Sequence, residues 1–219
     1  MNEKIISECL SECFTVTAHT GCLNTPDNTV ESIIAGINCG ADIFEIDLNF
    51  DDNGIPVLSH NTPEGTDNLR FDDALKVISD NKEIRINIDI KKTTDLAEME
   101  RIAVKYGFGE RAFMTGIEER FIPAVLENCR TLTHYLNWNV KEDTDADEVV
   151  KKLIETQSIG LNTEHCFITK EIVEKVHNIG LLVSVWTVNN EDDMIKYINM
   201  GVDNITTKNP DMLLKLIEK

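Results

Sequence analysis

No apolar run in the sequence approaches the roughly 20 residues of a membrane span, which excludes an integral membrane helix. There is also no C-x-x-C pair. The six cysteines (Cys9, Cys13, Cys22, Cys39, Cys129 and Cys166) are scattered through a chain too long to need stapling. Cys9 and Cys13 stand four apart on an expected helix, but two ligands alone do not make a zinc site. Free thiols are expected, with neither disulfides nor structural zinc. Basic charge is scarce: 21 lysines and arginines face 39 aspartates and glutamates, a net charge of −18. That argues against nucleic acid and anionic membrane as stable partners. It also means that an anionic ligand is repelled at long range unless a local positive centre, such as a divalent cation, receives it. The N-terminal stretch M-N-E-K-I-I-S-E-C-L-S-E-C-F has no uninterrupted apolar region leading to a small-residue cleavage site, so a cytoplasmic location is the expectation.

With no linker and no low-complexity segment, the 219 residues read as one domain spanning 1–219. From residue 14 onward, short β-branched runs alternate with longer amphipathic ones, the pattern of parallel βα units. Strands are predicted over Phe14–Thr17, Ile43–Phe50, Ile84–Ile90, Phe113–Thr115, Leu132–Leu136, Ile159–Leu161, Leu181–Thr187 and Asn204–Thr206. Helices fit between them, the first over Asn28–Cys39, and a last one follows from Asp211 to Lys219. Gly40, Gly107, Gly180 and Gly201 close helices, while Asn190 with Asp193, and Thr169 before Glu171, read as N-caps. This repetition predicts an α/β fold, a single-domain (β/α)8 TIM barrel, slightly small for its kind. An open doubly wound sheet is the alternative, but no Gly-rich phosphate loop follows the first strand.

Within the second strand, Glu45 and Asp47 stand two apart, so their carboxylates share one face while Phe44, Ile46 and Leu48 take the other. Two neighbouring buried carboxylates are costly without a compensating cation. Asp51-Asp52-Asn53-Gly54 is a tight-turn signature. Ile55–Ser59 is then expected to pair back as a hairpin and return His60 to the rim. In the third strand Ile84, Ile86, Ile88 and Ile90 face the helices, leaving Arg85, Asn87, Asp89 and Lys91 inward. Active sites of barrels lie at the C-terminal strand ends. One rim is therefore expected to gather His19, Glu45, Asp47, His60, Asp89, Lys91 and Trp186. Three carboxylates with no soft ligand suit Mg²⁺ or Ca²⁺. Two histidines suit acid and base work, since imidazole as a side-chain type changes charge near neutral pH, and a lysine beside a metal suits an anionic transition state. His134, His165 and His177 are assigned structural places.

These residues, in this order, resemble the glycerophosphodiester phosphodiesterase family across nearly the whole chain. The family's H-R-G and P-E-N-T stand here as His19-Thr20-Gly21 and Pro26-Asp27-Asn28-Thr29. Its G-A-D-x-x-E-x-D stands as Gly40-Ala41-Asp42 with Glu45 and Asp47, and its D-G-x-P-V-x-x-H-D as Asn53 through His60-Asn61. Its E-x-K is Asp89-Ile90-Lys91; V-W-T-V-N is intact at Val185–Asn189, and Gly201-Val202-Asp203 through Thr207, Lys208 and Pro210 completes the series. The resemblance implies a (β/α)8 barrel that cleaves glycerophosphodiesters, small-molecule substrates, to glycerol phosphate and an alcohol. It implies Glu45, Asp47 and Asp89 as ligands of a divalent metal, His19 and His60 as the acid/base pair, Lys91 on the phosphate and Trp186 packed on the glycerol.

The departures are specific. Thr20 replaces an arginine that in the family grips phosphate, and one hydroxyl stands in for a guanidinium fork. Asn61 replaces an aspartate beside the second histidine. Asp89 replaces a glutamate, shortening its reach, and Lys208 replaces an aspartate. Thr20 and Lys208 are therefore expected near the substrate, with Lys208 restoring charge lost at Thr20. Two other readings stand beside the enzyme: a barrel that keeps the metal site for binding or regulation, and a phosphodiesterase of the phospholipase D toxin type. The latter must reach a membrane lipid, which suits a −18 chain poorly.

Overall fold

A computed structural model of the chain describes residues 14–65 and 67–217; the expected helical pair Cys9 and Cys13 lies outside them. Its architecture grows from hydrophobic periodicity. In the strand Arg85–Ile90 and the residue before it, Ile84, Ile86, Ile88 and Ile90 are all buried under the helices. In the helix Phe71–Ile78 the buried positions are Phe71, Ala74, Leu75 and Ile78, a stripe at helical spacing.

In chain order the elements are β1 (Thr15–Ala18), α1 (Val30–Asn38), β2 (Ile43–Phe50), β3 (Pro56–Leu58), α2 (Phe71–Ile78), β4 (Arg85–Ile90), α3 (Leu96–Lys105), β5 (Ala112–Thr115) and α4 (Ile122–Asn128). There follow β6 (Thr133–His134), β7 (Leu136–Asn137), α5 (Ala146–Glu155), β8 (Gly160–Glu164), α6 (Lys170–Asn178), β9 (Leu182–Trp186), α7 (Glu191–Met200), β10 (Asn204–Thr207) and α8 (Pro210–Leu216).

The parallel strands neighbour one another in the order β6-β5-β4-β2-β1-β10-β9-β8-β7. β6 and β7 are two pieces of one extended stretch, parted at Tyr135. The first piece pairs with β5 and the second with β8, so this single stretch closes the ring. The result is a barrel of eight staves wrapped in helices, as the alternation predicts. β3 pairs antiparallel with β2, which is the expected hairpin.

Two features of the interior position the site. β2 and β4 run in parallel register, Asp47 opposite Asp89. Below them the barrel is filled with polar side chains rather than the branched aliphatics usual in such cores. Asn204 Nδ2 donates to Thr15 Oγ1 (2.9 Å) and Thr17 Oγ1 (2.8 Å), and Ser184 Oγ donates to Asn204 Oδ1 (3.0 Å). Each buried polar group is thereby matched to a partner, which keeps the layer from costing stability. Arg85, the lowest inward position of β4, reaches the exposed bottom of the barrel, its guanidinium 5.6 Å from the Phe113 ring centre.

The expected caps form: Thr169 accepts from Ile172 N–H, and Asn190 from Asp193 N–H. The first helix starts later than its predicted Asn28, with Thr29 as its N-cap. Asn28 takes a left-handed backbone (φ 58°) and its side chain is used elsewhere.

Candidate active site

The cavity at the C-terminal ends of the staves has a volume of about 360 Å³, within the range of small-ligand sites. Its walls include His19, Glu45, His60, Asp89, Lys91 and Trp186. Asp47, 1% exposed, lies just beneath. Thus seven of the side chains expected at one rim gather there.

Glu45, Asp47 and Asp89 each offer a carboxylate oxygen, all within 4.8 Å of one another. The strand register explains this directly, since residues opposite in adjacent parallel strands share a face. Among the described residues the fixed cation facing this cluster is Lys91. Its Nζ lies 2.7 Å from Asp89 Oδ2 and 3.0 Å from Asp47 Oδ1. One ammonium against three carboxylates leaves the cluster strongly negative. Burial, with Asp47 and Asp89 nearby, holds the Glu45 carboxyl well above the usual carboxylate range. Asp89 is also pushed up by desolvation in spite of Lys91, and Lys91 is held above the ordinary lysine value by its two acidic neighbours. Asp89 Oδ1 is buried without a partner, and Asp47 Oδ1 has the Lys91 ammonium alone. An orphaned hard oxygen in a cluster with three carboxylates and one ammonium is what a divalent cation would satisfy, so the residues present fit one.

Thr20 N–H donates to Glu45 Oε2 (2.9 Å), and Asn28 Nδ2 donates to Asp47 Oδ2 (2.8 Å) while its Oδ1 accepts Asp47 N–H (3.2 Å). Glu45 and Asp47 so each keep one oxygen tethered, and Asp47 turns the other to Lys91. Asn28 was not foreseen as a site residue; its place in P-D-N-T was the available signal. His19 Nδ1 lies 2.6 Å from the Thr20 carbonyl, which can only accept, so Nδ1 is the donor and Nε2 is left for a ligand in the cavity. Glu45 Oε2 is 3.7 Å from the same ring. His60 rides on a turn fastened by Asn49, whose Nδ2 donates to the Asn61 carbonyl (2.9 Å), and by Ser59 N–H to the Asp47 carbonyl (3.0 Å). Asn61 Oδ1 stands 3.4 Å from His60 Nδ1, so the asparagine still offers the acceptor that an aspartate would.

Two expected substrate contacts do not reach the cavity. Thr20 is fully buried, its hydroxyl taken by Asn28 N–H at 2.6 Å. Lys208 sits outside the lining, its Nζ 2.9 Å from Asp27 Oδ1. Gly21 accounts for this arrangement: it has φ +74°, and a β-carbon there would lie 1.9 Å from Asp27 Oδ1. The left-handed φ is what its motif position asks of a glycine, whereas the Asp27 side chain is free to yield. Also unforeseen in the lining are Thr115, Gly116, Asn137 and Asn162.

A sequence model of the glycerophosphoryl diester phosphodiesterase family matches residues 65–212. The chain belongs to that family. The match starts after His60, so His19, Glu45, Asp47 and His60 lie outside it. A glycerophosphodiester phosphodiesterase of Caldanaerobacter subterraneus subsp. tengcongensis is 28% identical, covering 93% of this chain and 98% of the relative. The fold is shared with an Oleispira antarctica phosphodiesterase solved in complex with its product sn-glycerol-3-phosphate (TM-score 0.78, 19% identity, 94% of this chain and 97% of that one). It is shared too with a glycerophosphodiester phosphodiesterase of Thermotoga maritima (TM-score 0.71, 18% identity, 94% and 99%). Among the described residues, no helix is long and apolar enough to cross a membrane.

Proposed function

We propose that the chain hydrolyses glycerophosphodiesters, or a closely related small phosphodiester, to glycerol phosphate and an alcohol, using a divalent metal. The observation that carries this reading is the convergence of Glu45, Asp47 and Asp89 within 4.8 Å between two histidines. Glu45, Asp47 and Asp89 would hold Mg²⁺ or Ca²⁺, both hard cations that take carboxylate oxygens. When bound, such an ion supplies positive charge that offsets the phosphate's own and the charge developing on its oxygens.

The chain's residues supply the rest. The Lys91 ammonium is the fixed cation for a phosphate oxygen, a contact that strengthens as charge builds in the transition state. His19 and His60 form the proton-transfer pair. The glycerol hydroxyl next to the phosphate attacks phosphorus and gives its proton to one imidazole, while the other protonates the departing alkoxide. Water then opens the cyclic phosphate with the two roles exchanged. The His19 Nδ1–H bond to the Thr20 carbonyl keeps Nε2 available for that work. Trp186, on the wall, offers an apolar surface to the carbon chain of glycerol.

The experiment is turnover of glycerophosphocholine with Mg²⁺, Ca²⁺ or EDTA, comparing wild type with His19→Ala. Metal-dependent release of choline by wild type alone supports the reading. No turnover under any condition favours the second reading, a barrel that binds but does not cleave. One observation motivates that alternative: with Thr20 turned inward, the cavity walls carry a single fixed cation.

A further inference from the structure

Further round the cavity wall from Asp89 lies a pair of amides that the mechanism above does not use. Asn137 ends β7 and Asn162 lies opposite it in β8. In the ring of staves, β8 is four places from β2, which carries Glu45, while the β6–β7 stave is two places from β4, which carries Asp89, so the pair stands on the wall that runs from Asp89 round to the side opposite Glu45. Both residues line the cavity, and Asn162 is 5% exposed.

Their orientations are fixed by a chain of hydrogen bonds. Gly116 N–H can only donate, and it does so to Asn137 Oδ1 (3.3 Å). That oxygen also accepts Asn162 Nδ2 (2.5 Å). The remaining groups are therefore defined: Asn137 presents its Nδ2 donors and Asn162 presents its Oδ1 acceptor. Neither atom has a hydrogen-bond partner among the described residues, and neither is sealed from solvent. The neighbouring Thr115 Oγ1 donates to Asn87 Oδ1 at 2.7 Å, so that hydroxyl and that amide oxygen are engaged with each other. They leave the donor and acceptor of the first pair open to a ligand.

A fixed donor beside a fixed acceptor selects by chemistry. A phosphate oxygen only accepts at neutral pH and would meet Asn162 Oδ1 unfavourably. A quaternary ammonium group forms no hydrogen bond with either amide. An alcohol both donates and accepts, and two adjacent alcohols span both positions. We infer that Asn137 and Asn162 are specificity-determining residues that hold the adjacent hydroxyl groups of the glycerol moiety. The inference rests on the glycerophosphodiesterase reading and names the residues that recognise glycerol within it. A site built to pair with hydroxyls discriminates against ligands lacking them, because its amides are then left unpaired.

The test is calorimetric binding, in Mg²⁺ or Ca²⁺, of glycerol 3-phosphate and of propyl phosphate, which keeps the phosphate but lacks both hydroxyls. Wild type is expected to prefer glycerol 3-phosphate by about tenfold or more. Asn162→Ala, whose lost amide supports no backbone group, should erase most of that preference. Asn137→Ala should do the same. Should Asn162→Ala fail to fold, Asn162→Ser, which keeps a donor for Asn137 Oδ1, is measured in its place. A wild-type preference that survives the substitutions, or equal losses for both phosphates, overturns the inference. Glycerophosphocholine turnover separates the two ideas: a wild type that cleaves it but shows no amide-dependent preference refutes the subsite alone. A wild type that neither cleaves it nor binds either phosphate refutes the function reading, and the subsite with it.

Discussion

A β-carbon built on Gly116 would lie 1.9 Å from Asp89 Oδ1, the same oxygen that is buried without a partner in the acidic cluster. Gly116 also has φ +73°. Its backbone thus forms one wall of the cradle around that carboxylate, and an alanine is excluded twice, by conformation and by space. The conformational cost alone is about 1–2 kcal/mol. Gly116→Ala should lower the melting temperature by roughly 3–8 °C and weaken divalent-ion binding, as read by calorimetry. Wild-type values for both would show that Asp89 is not held by this wall.

Divalent ions should stabilise the protein strongly, because the cluster proposed to hold them exists only when β2 and β4 are paired. At 100 times the dissociation constant the expected gain is about 2.7 kcal/mol, or roughly 5–10 °C in a chain of this size. Glu45→Gln should abolish most of that shift. It should also raise the melting temperature measured in EDTA, since it removes a charge that burial and its neighbours disfavour. Thermal scans with Mg²⁺, Ca²⁺ and EDTA decide; a variant stabilised by ions as much as wild type would remove Glu45 from the ligand set.

Lys91 occupies the cation-attracting ground between Asp47 and Asp89, so it competes with the ion it is proposed to assist. Lys91→Met should therefore tighten ion binding while lowering turnover by about 100-fold, the scale of losing one transition-state contact to charge. Weaker ion binding in the variant would mean that the ammonium organises the two carboxylates rather than opposing the metal.

His134 is buried in β6 with its Nε2 3.0 Å from the Thr156 carbonyl, and burial holds its pKa below the ordinary 6.5. For a base with a depressed folded value, the stabilisation is complete above 6.5 and is lost as the pH falls toward that lower value. Relative to His134→Gln, wild type should lose up to about 1.4 kcal/mol per pH unit between 6.5 and that lower value. Urea titrations in EDTA between pH 7.5 and 5 measure the difference; parallel curves would contradict a neutral buried imidazole.

Lys208 is paired with Asp27 instead of facing the cavity, so Lys208→Ala should change kcat/KM by less than about threefold, the scale of a surface ion pair. A loss of tenfold or more, concentrated in phosphate affinity, would restore it as the replacement for the family arginine.

Much of this was legible from residue order alone. The isoleucine alternation of β4 and the acid spacing of β2 told which side chains turn inward, because a strand has a period of two whatever surrounds it. The Asp51–Gly54 turn and the caps at Thr169 and Asn190 were likewise local, set by side chains bonding to nearby backbone. Family motifs then ordered the strand ends. What stayed hidden depended on stagger between distant segments. Asn28, in the loop after β1, holds Asp47 on the neighbouring β2, Thr20 turns its hydroxyl inward to Asn28, and the amides of Asn137 and Asn162 lock through Gly116. No periodicity encodes those contacts, since each depends on how a loop or a neighbouring stave places a polar group in space. The sequence determined which faces are polar and which acids share one. Only the folded ring, through its strand register and closure, decided which oxygens are tethered, which are left bare, and which donors look into the cavity.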